Sequence, residues 1–588
     1  MTPPTDSRRG APERVQTPRQ RQLGRATLLT AGGTIISRFT GLLRLVVIAY
    51  ALGASNLADA FNLSNNTPNM IHDLVLGGVL SATFVPVFVD RITKSSSKES
   101  TDSISAVLTV SFAMLIVATV CFVLLAPAIV DLYTVGLNDL AERSVTVELL
   151  RLFAPQLLFY GAISLMTAVL ATQDRFVLAG IVPIINNVVG IIVLATFAVL
   201  AHTTSAAVAS AHQPLIIFLG VGTSLAVGLQ ACALIPAIRR CGLRLHVRLR
   251  PDDPAVSMIL SMSGWTFALV LANQVAVFFI MALATHLGGV SVYTYAFTFF
   301  QFPFAIAATS IIAIATPDIA RAFSNNDIAL VGTRFGKATA QVLTLVLPCV
   351  VGYLLLGRPA MTLILQHGHL GPSGAKLTGA VLILFALGLP GFCVFFLATR
   401  TFQAMRDSRT TFCLYLVENG LNIVLAIALF HPLGVQGLAL SYSIAYTVSA
   451  LGAVYLLRRR LGTVGGRGML RSSLRAITLS LFMALVVAFV VAVVGVGTGL
   501  SGWVRLIFAV IVGVAAYVVG AGVGALFDAR RAVTRRRVKQ NQVVVPIANY
   551  QRGTRENRSR DRQLKRLAPV RLRASGRHFR STRRPPWR

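Results

Sequence analysis

The chain has 588 residues, of which 55% are hydrophobic and only 13% are charged, and its mean hydropathy is +0.71. Soluble domains carry about 25% charged residues, so this composition excludes an ordinary soluble protein and indicates a polytopic membrane protein. The formal charge of +33 is concentrated in residues 1–25 and beyond Asp528, and such basic ends indicate contact with anionic lipid rather than with nucleic acid.

Apolar segments long enough to cross a bilayer, at about 20 residues each, follow one another through the middle of the chain. We count fourteen: 26–53, 57–88, 104–132, 147–171, 176–201, 214–238, 257–286, 289–317, 338–357, 377–400, 410–431, 435–457, 474–497 and 503–527. Lys and Arg accumulate in alternate loops, such as residues 239–250 and 458–471. Because cytoplasmic loops are the ones that collect these residues, the pattern predicts that both ends of the chain are cytoplasmic.

An internal repeat underlies the spans. The matching features are Leu52-Gly53 and Leu287-Gly288, Pro68 and Pro303, and Asn187 and Asn419. The repeat predicts an all-α membrane protein with two six-helix lobes facing each other across a cavity, an arrangement typical of alternating access, plus two C-terminal helices. We expect a disordered basic tail over 1–25, an N-lobe over 26–238, a C-lobe over 257–457, a final helix pair over 474–527 and a basic, mostly disordered tail over 528–588.

The first two spans carry ionisable side chains at membrane depth: Arg38, Arg44, Asp59, His72 and Asp73. One charge at the centre of a spanning helix costs about 2.5–3.5 kcal/mol, so four permanent charges cost on the order of 10 kcal/mol, as much as the whole stability of many domains. Such residues persist when they face water, a charged substrate or one another. We therefore expect these five residues to bind substrate along a transport pathway.

Helix rise places Arg38, His72 and Asp73 at one depth, about 25 Å from the bend near residue 55. We expect Arg38 to pair with Asp73 in the substrate-free protein and to exchange that partner for phosphate, which the guanidinium fork binds in a bidentate manner. A fixed ion pair that only joins the two spans is the alternative. His72 is either a positive charge that titrates near neutral pH or a neutral hydrogen-bonding residue.

Glu418 is the only acidic residue deep in the second lobe. Hard cations bind carboxylate and carbonyl oxygens, which predicts a cation site formed by Glu418, Asn422 and Asn273 with either Ser441 or Thr447. A protonated or hydrogen-bonded glutamate is the alternative. We expect no cofactor or metal. Because no complete phosphate-binding loop is present, transport is expected to depend on a coupling ion, Na⁺ or H⁺, or on membrane potential.

The opening hairpin closely resembles that of the MurJ (MviN) family of lipid II flippases, in the multidrug/oligosaccharidyl-lipid/polysaccharide exporter superfamily. The motifs that carry the resemblance are SRFTGLLR over 37–44, Leu52-Gly53-Ala54, Ala58-Asp59-Ala60-Phe61, Pro68-Asn69 and FVPVF over 84–88. The likeness extends more loosely over residues 26–527, and the Gly-Gly-Val-Leu run at 77–80 resembles the branch from high-GC Gram-positive bacteria.

The resemblance implies a transporter, not an enzyme. It implies movement of lipid II, the undecaprenyl-diphosphate-linked disaccharide-pentapeptide, from the inner to the outer leaflet of the cytoplasmic membrane. Arg38 and Arg44 match the family arginines that face the cavity and meet the diphosphate, and Asp59 matches its acidic residue after the outer bend. By the same resemblance, residues 474–527 shape a groove for the polyprenyl tail; plain packing against membrane lipid is the alternative. The chain departs from the family at His72 and Thr298, where other members carry further arginines.

The expected partners are lipid II, anionic membrane lipids at the basic tails and, as a further candidate, cell-wall synthesis proteins; nucleic acid is not expected. Two other functions remain consistent with these residues. One is export of another polyprenyl-linked glycan or of a drug. The other is a non-transporting cell-wall scaffold, for which Arg38 and Arg44 would be dispensable.

Overall fold

The computed structural model describes residues 18–77, 97–134, 139–172, 176–201, 205–240, 264–495, 497 and 499–543. Within these ranges the chain forms helices joined by short turns, and no β-strand is present. The all-α fold class predicted from hydropathy is therefore confirmed.

The described part of the first lobe begins with a helical hairpin around the bend at residues 53–55. Its helices are α1 Pro18–Leu52, α2 Asn56–His72, α3 Ser97–Tyr133, α4 Leu140–Phe153, α5 Pro155–Thr172, α6 Phe176–Ile181, α7 Pro183–Ala201, α8 Ala206–Ala211 and α9 Gln213–Arg239. Side-chain caps fix where two of them start. Ser55 Oγ accepts the Ala58 N–H at 3.2 Å at the start of α2, and Asp139 accepts two backbone N–H groups at the start of α4, as short polar side chains do at helix N-termini.

The second lobe repeats this plan, and two further helices follow it. Their bounds are α10 Gly264–His286, α11 Val290–Pro303, α12 Thr309–Ser324, α13 Ile328–Leu365, α14 Pro372–Ala404, α15 Ser408–Leu433, α16 Val435–Leu461, α17 Gly466–Val494 and α18 Gly499–Val543. The chain divides into two compact units, Met1–Val518 and Val519–Arg588. Both lobes lie in the first unit.

The predicted repeat is visible in the backbone of both lobes. Gly53 and Gly288 both have positive φ, +71° and +56°, and each precedes a helix that ends in a π-helical turn, Asp73–Gly77 after α2 and Phe304–Ala308 after α11. A side chain at residue 53 would place its Cβ 2.6 Å from the carbonyl oxygen of His369. Only glycine fits this bend, because it combines left-handed backbone with close contact.

The same helix pairs pack together in both lobes. In the first lobe α1 contacts α7, α7 contacts α9, and α2 contacts α4; in the second, α10 contacts α15, α15 contacts α16, and α11 contacts α14. The lobes meet where α11 contacts both α1 and α2. Within the described ranges, this recurrence gives two related lobes whose shared surface is built largely from the first two helices of one lobe and α11 of the other.

Thirteen helices of the described ranges are long and apolar enough to cross a membrane. They correspond to all the predicted spans except the second, 57–88, which the structure describes only as far as Gly77. Proline interrupts two predicted spans: 147–171 is divided into α4 and α5 ahead of Pro155, and 176–201 is divided into α6 and α7 ahead of Pro183. This is expected, because proline lacks the N–H that continues a helix.

The two ends differ from the expected disordered tails where they are described. Helix α1 starts at Pro18, inside 1–25, and α18 extends to Val543, inside 528–588. Arg, Gln and Ala are strong helix formers, so a basic composition does not by itself end a helix. Residues 1–17 and 544–588 lie outside the described ranges.

Candidate functional site

Two adjoining cavities lie between the lobes, and we call them together the interlobe chamber. The arginine pocket, about 440 Å³, has walls from α1, α6, α7 and α11 and contains Arg38. The central pocket, about 330 Å³, has walls from α2, α10, α11, α15 and α16 and contains Asp73 and Glu418. Thr298 belongs to both walls. The chamber is therefore polar, charged and shared by the two lobes.

Arg38 is an exposed cation in the arginine pocket. Among the described residues, none of the ion pairs involves its guanidinium. The opposite wall supplies Thr298 and Gln301 from the second lobe. Beside Arg38, the Asn187 amide donates to the Ser37 carbonyl at 3.1 Å and holds α7 against α1. The guanidinium is thus free to bind an anion that enters between the lobes.

The predicted pair between Arg38 and Asp73 is wrong in this conformation. The Asp73 carboxylate lies 3.2 Å from His72 Nδ1 instead, and it faces the central pocket rather than the arginine pocket. Helix rise predicts the depth of a side chain but not its direction around the axis. Asp73 also begins the π-helical turn, where the ordinary helical rotation no longer applies.

His72 lies inside the first lobe, in neither wall of the chamber. Its Nε2 is 3.1 Å from Ser164 Oγ of α5, and its Nδ1 is the contact to Asp73. Only 12% of the His72 side chain is exposed, against 56% for Asp73. The chain of contacts from Ser164 through His72 therefore orients the Asp73 carboxylate toward the central pocket.

Arg44 is packed between α1 and α7 and lies in neither wall of the chamber, so the expectation that it faces the cavity is not met in this conformation. Its Nη1 donates to Asn186 Oδ1 at 3.2 Å, while its Nε is buried without a hydrogen-bond partner. A Cβ at Gly190 would lie 2.8 Å from that Nε. Glycine at 190 therefore makes room for a cation whose donors are incompletely satisfied, which is costly in a buried setting.

Asp59 is buried at the junction of the lobes, with 4% of its surface exposed, and lies outside both chamber walls. Its Oδ1 accepts the backbone N–H of Ser291 at 2.8 Å, and Asn62 donates to Ser291 Oγ at 3.0 Å. Tyr295 donates to the Gly53 carbonyl at 2.9 Å. We call these three hydrogen bonds the bend latch. In this conformation Asp59 joins the lobes instead of lining the cavity.

Glu418 is buried in the wall of the central pocket, with 1% of its surface exposed. Both carboxylate oxygens lack a hydrogen-bond partner among the described residues. An ionised carboxylate in this state is very costly, so the site requires a proton or a bound cation. Orphaned oxygens in a cavity fit the predicted cation site.

Four of the five predicted cation ligands belong to this region. Asn273, Glu418 and Asn422 line the central pocket, and Ser441 donates to Asn422 Oδ1 at 3.0 Å behind it. Thr447 does not belong: it is exposed, and it packs on Gly391 of α14. Residues four apart share a helix face, as Tyr442 and Tyr446 do in this wall, and Thr447 lies about 100° further around.

Most of the uncharged polar groups in the chamber were not among the predicted site residues. They are Asn66, Asn69, Asn187, Gln274, Gln301 and Asn419. Two of them are the repeat partners Asn187 and Asn419, one in each pocket. Amides inside apolar spans are themselves a signal for a pathway, and the repeat could have directed attention to this pair.

A protein family and several relatives match most of this chain in sequence. The family described as "Lipid II flippase MurJ" matches residues 48–511. A "Probable lipid II flippase MurJ" of Rhizobium meliloti (strain 1021) is 27% identical over 430 residues, 71% of this chain and 78% of the relative. A "Lipid II flippase MurJ" of Burkholderia cenocepacia is 26% identical over 454 residues, 74% of this chain and 84% of the relative.

Solved structures share the fold at lower identity. The structure titled "Lipid II flippase MurJ, inward closed conformation" has a TM-score of 0.68 at 20% identity and covers 84% of this chain and 98% of that one. An inward-facing multidrug resistance transporter of the MATE family has a TM-score of 0.60 at 15% identity, covering 73% of this chain and 98% of that one. With the family match over residues 48–511, these findings show that the chain belongs to the lipid II flippase MurJ family.

Proposed function

We propose that this chain moves lipid II from the inner to the outer leaflet of the bacterial cytoplasmic membrane. The observation that carries the proposal is the Arg38 guanidinium, which stands without an ion-pair partner among the described residues in a cavity shared by both lobes. A diphosphate is the anion that a planar guanidinium binds best. The headgroup needs such a polar chamber because it cannot cross hydrocarbon unaided.

Arg38 and Arg44 act in turn on the diphosphate. Arg38 faces the arginine pocket and makes the first contact, while Arg44 is held one helix face away with its Nε unpaired. Movement of α7 relative to α1 would admit phosphate to Arg44, because Asn186 and Gly190 of α7 form its present surroundings. Asp73, oriented by His72, accepts hydrogen bonds from the sugar-peptide part of the headgroup.

The bend latch changes with the access state. Its three hydrogen bonds join α2 and the bend to α11, and the Asp59 charge lies at the N-terminus of α11, where the helix dipole favours an anion. Rocking of the lobes to open the bend end requires these bonds to break. Asp59 then becomes available to the substrate, which gives it the binding role predicted from its position.

Glu418 couples transport to an ion. A cation such as Na⁺, held by Glu418 with the amide oxygens of Asn273 and Asn422, or a proton on Glu418, would satisfy the orphaned carboxylate in one access state and leave in the other. Membrane potential adds about 2.3 kcal/mol per charge per 100 mV. Either the bound ion or the membrane potential can return the empty carrier, which has net charge in its cavity, to its starting conformation.

The basic ends, with both termini in the cytoplasm, are proposed to contact anionic lipids of the inner leaflet, and cell-wall synthesis proteins are further candidates there. Expression in cells depleted of their own lipid II flippase tests the function. Restored growth, with lipid II exposed on the outer leaflet, is expected. Growth failure with protein present in the membrane would favour an exporter of another polyprenyl-linked glycan or of a drug, or a scaffold.

A further inference from the structure

Two basic side chains line a cavity that shares no wall residue with the interlobe chamber, and a third lies beside its wall; we call the three the outer basic cluster: Arg358, Lys376 and Arg505. Arg358 of α13 and Lys376 of α14 line this cavity, which measures about 580 Å³, together with Gly497. A Cβ at Gly497 would lie 3.2 Å from Arg505 Nη1, so the third cation borders the same space.

The outer basic cluster carries unneutralised charge. Within the described ranges, no carboxylate forms an ion pair with any of its three members. The sequence contains no Asp or Glu between Asp327 and Asp407 or between Glu418 and Asp528, so α13 and α14 hold no acidic residue, and the acid nearest to Arg505 along α18 is Asp528, about 35 Å away at 1.5 Å per residue. By contrast, Arg143 pairs with Asp131 at 2.6 Å. Two cations in the wall without an ion-pair partner, and a third beside Gly497, favour an anion in this cavity.

The cavity lies at the end of the bundle that holds the bend at Gly53. The connection from α13 to α14 contacts that bend, since the His369 N–H donates to the Tyr50 carbonyl at 3.0 Å. Lys376 is in the second turn of α14. Trp503, near Arg505 in α18, is a residue type enriched where membrane meets water. The outer basic cluster is thus at headgroup depth.

The walls of the cavity are both polar and apolar. Gln436 and Thr362 add hydrogen-bonding groups, while Pro359, Leu363, Leu377 and Ala380 supply hydrocarbon surface. A phosphate with attached acyl chains matches this combination, because its charge meets the cations and its chains lie on the apolar wall. A free inorganic anion would leave the apolar wall uncovered.

We propose that this cavity binds the phosphate group of an anionic lipid in the leaflet at the bend end, which the predicted orientation makes the outer leaflet. The bound lipid contacts α13, α14 and the turn before α18, and it fixes that turn against the second lobe. The phosphate belongs to a phospholipid or to a polyprenyl phosphate, which share this chemistry. The proposal goes beyond flipping and does not require it.

A site-specific readout is needed, because the +33 charge of the chain attracts anionic lipid elsewhere. A photoreactive benzoylphenylalanine in place of Leu377 would report occupancy of the cavity in the full-length protein in nanodiscs. We expect cross-linking to phosphatidylglycerol and little to phosphatidylcholine. Arg358→Gln with Lys376→Gln should reduce the yield by about fivefold for each charge removed.

Two variants keep the test independent of misfolding. Arg358→Lys with Lys376→Arg retains the charge and should retain cross-linking. Arg143→Gln removes a basic residue at the same end whose charge is already paired, and it should have no effect. The proposal would be overturned if the neutral variant cross-linked phosphatidylglycerol as well as the unmodified protein does. It would also be overturned if either control lost as much cross-linking as the neutral variant.

Competition identifies the source of the phosphate. Displacement of phosphatidylglycerol by an equimolar amount of undecaprenyl phosphate supports a polyprenyl ligand, and resistance to displacement supports a phospholipid; both outcomes support a lipid-phosphate site. If the unmodified protein cross-links phosphatidylglycerol but does not expose lipid II on the outer leaflet, only the proposed function is refuted. If the unmodified protein exposes lipid II but its cross-linking does not depend on the charges of Arg358 and Lys376, only this inference is refuted.

Discussion

The carboxylate of Asp59 in α2 accepts a 2.8 Å hydrogen bond from the backbone N–H of Ser291 in the first turn of α11. These residues belong to different lobes and are 232 positions apart, and their helices are equivalent in the repeat, in which Gly53 matches Gly288 and Pro68 matches Pro303. The bend latch therefore lies where equivalent helices of the two lobes meet. Its strength sets how readily that end of the chamber opens.

Replacing Asp59 with Ala should open the bend end. A hydrogen bond to a charged group contributes about 1.5–3 kcal/mol, so the open fraction should rise about tenfold or more. Thr294 of α11 lines the central pocket. A cysteine placed there in a cysteine-free background should react faster with an impermeant maleimide added from the bend side.

Asp131→Asn is the matched control for the latch. It removes an acid whose partner, Arg143, belongs to the same lobe, so labelling should stay at the reference rate. Unchanged labelling in Asp59→Ala would show that the latch does not hold the lobes together.

Adding one methyl group at Gly190 should disable Arg44 without deleting it. The new Cβ would lie 2.8 Å from Arg44 Nε, so the guanidinium must move from its place between α1 and α7. We expect Gly190→Ala to lose most of the transport that Arg44→Ala loses, measured as lipid II exposed on the outer leaflet. Gly352→Ala is the control, because a Cβ there meets nothing within 4 Å; equal activity of both glycine variants would count against a role for Arg44.

Glu418→Gln should remove the ion dependence of stability. An unsatisfied buried polar group costs about 1–3 kcal/mol, and a neutral amide avoids the larger cost of a charge. The reference protein should gain thermal stability with added NaCl relative to choline chloride, or as pH falls, while the variant gains in neither series. Thr447→Val, outside the pocket, should behave as the reference does. A variant that keeps the full response would rule out Glu418 as the ion site.

Asp407, in the turn between α14 and α15, should contribute a pH-dependent part of stability. Burial raises the pKa of its carboxyl, but hydrogen bonds from Thr410 and Arg460 outweigh burial and leave the pKa below its usual 3.8. A depressed folded-state pKa stabilises the fold above about pH 4, and this contribution is lost as pH falls through that pKa.

Asp407→Asn should therefore lower the free energy of unfolding by at most about 1 kcal/mol at pH 7, since the carboxylate is partly exposed, and by less at pH 3. Thermal melting at the two pH values measures this. An equal loss at both pH values for Asp407→Asn would contradict the assignment.

Hydropathy and the repeat could predict most of the fold because both follow from strong local rules. A span needs about 20 apolar residues wherever it lies, and a bend with positive φ needs glycine, as Gly53 and Gly288 show. The internal breaks at Pro155 and Pro183 follow from proline in the same way.

The candidate site was harder to predict because spacing fixes depth but not direction. Arg38 and Asp73 are level along their helices, yet they face different pockets. Thr447 lies outside the central pocket for the same reason, because it is one position past the helix face that holds Tyr446. Asp59 depends on a partner 232 residues away, and only the packing of the two lobes brings such residues together.

The proposed transport depends on guanidinium groups in the first helix that bind the diphosphate of a passing lipid. The most direct test measures lipid II on the outer leaflet of flippase-depleted cells that express the protein with Arg38→Ala or Arg38→Lys. Loss of a charge-assisted contact of about 1.5–3 kcal/mol predicts that Arg38→Ala reduces exposed lipid II by about tenfold or more, with partial recovery in Arg38→Lys. If Arg38→Ala exposes as much lipid II as the unmodified protein at equal abundance in the membrane, Arg38 does not bind the diphosphate during transport.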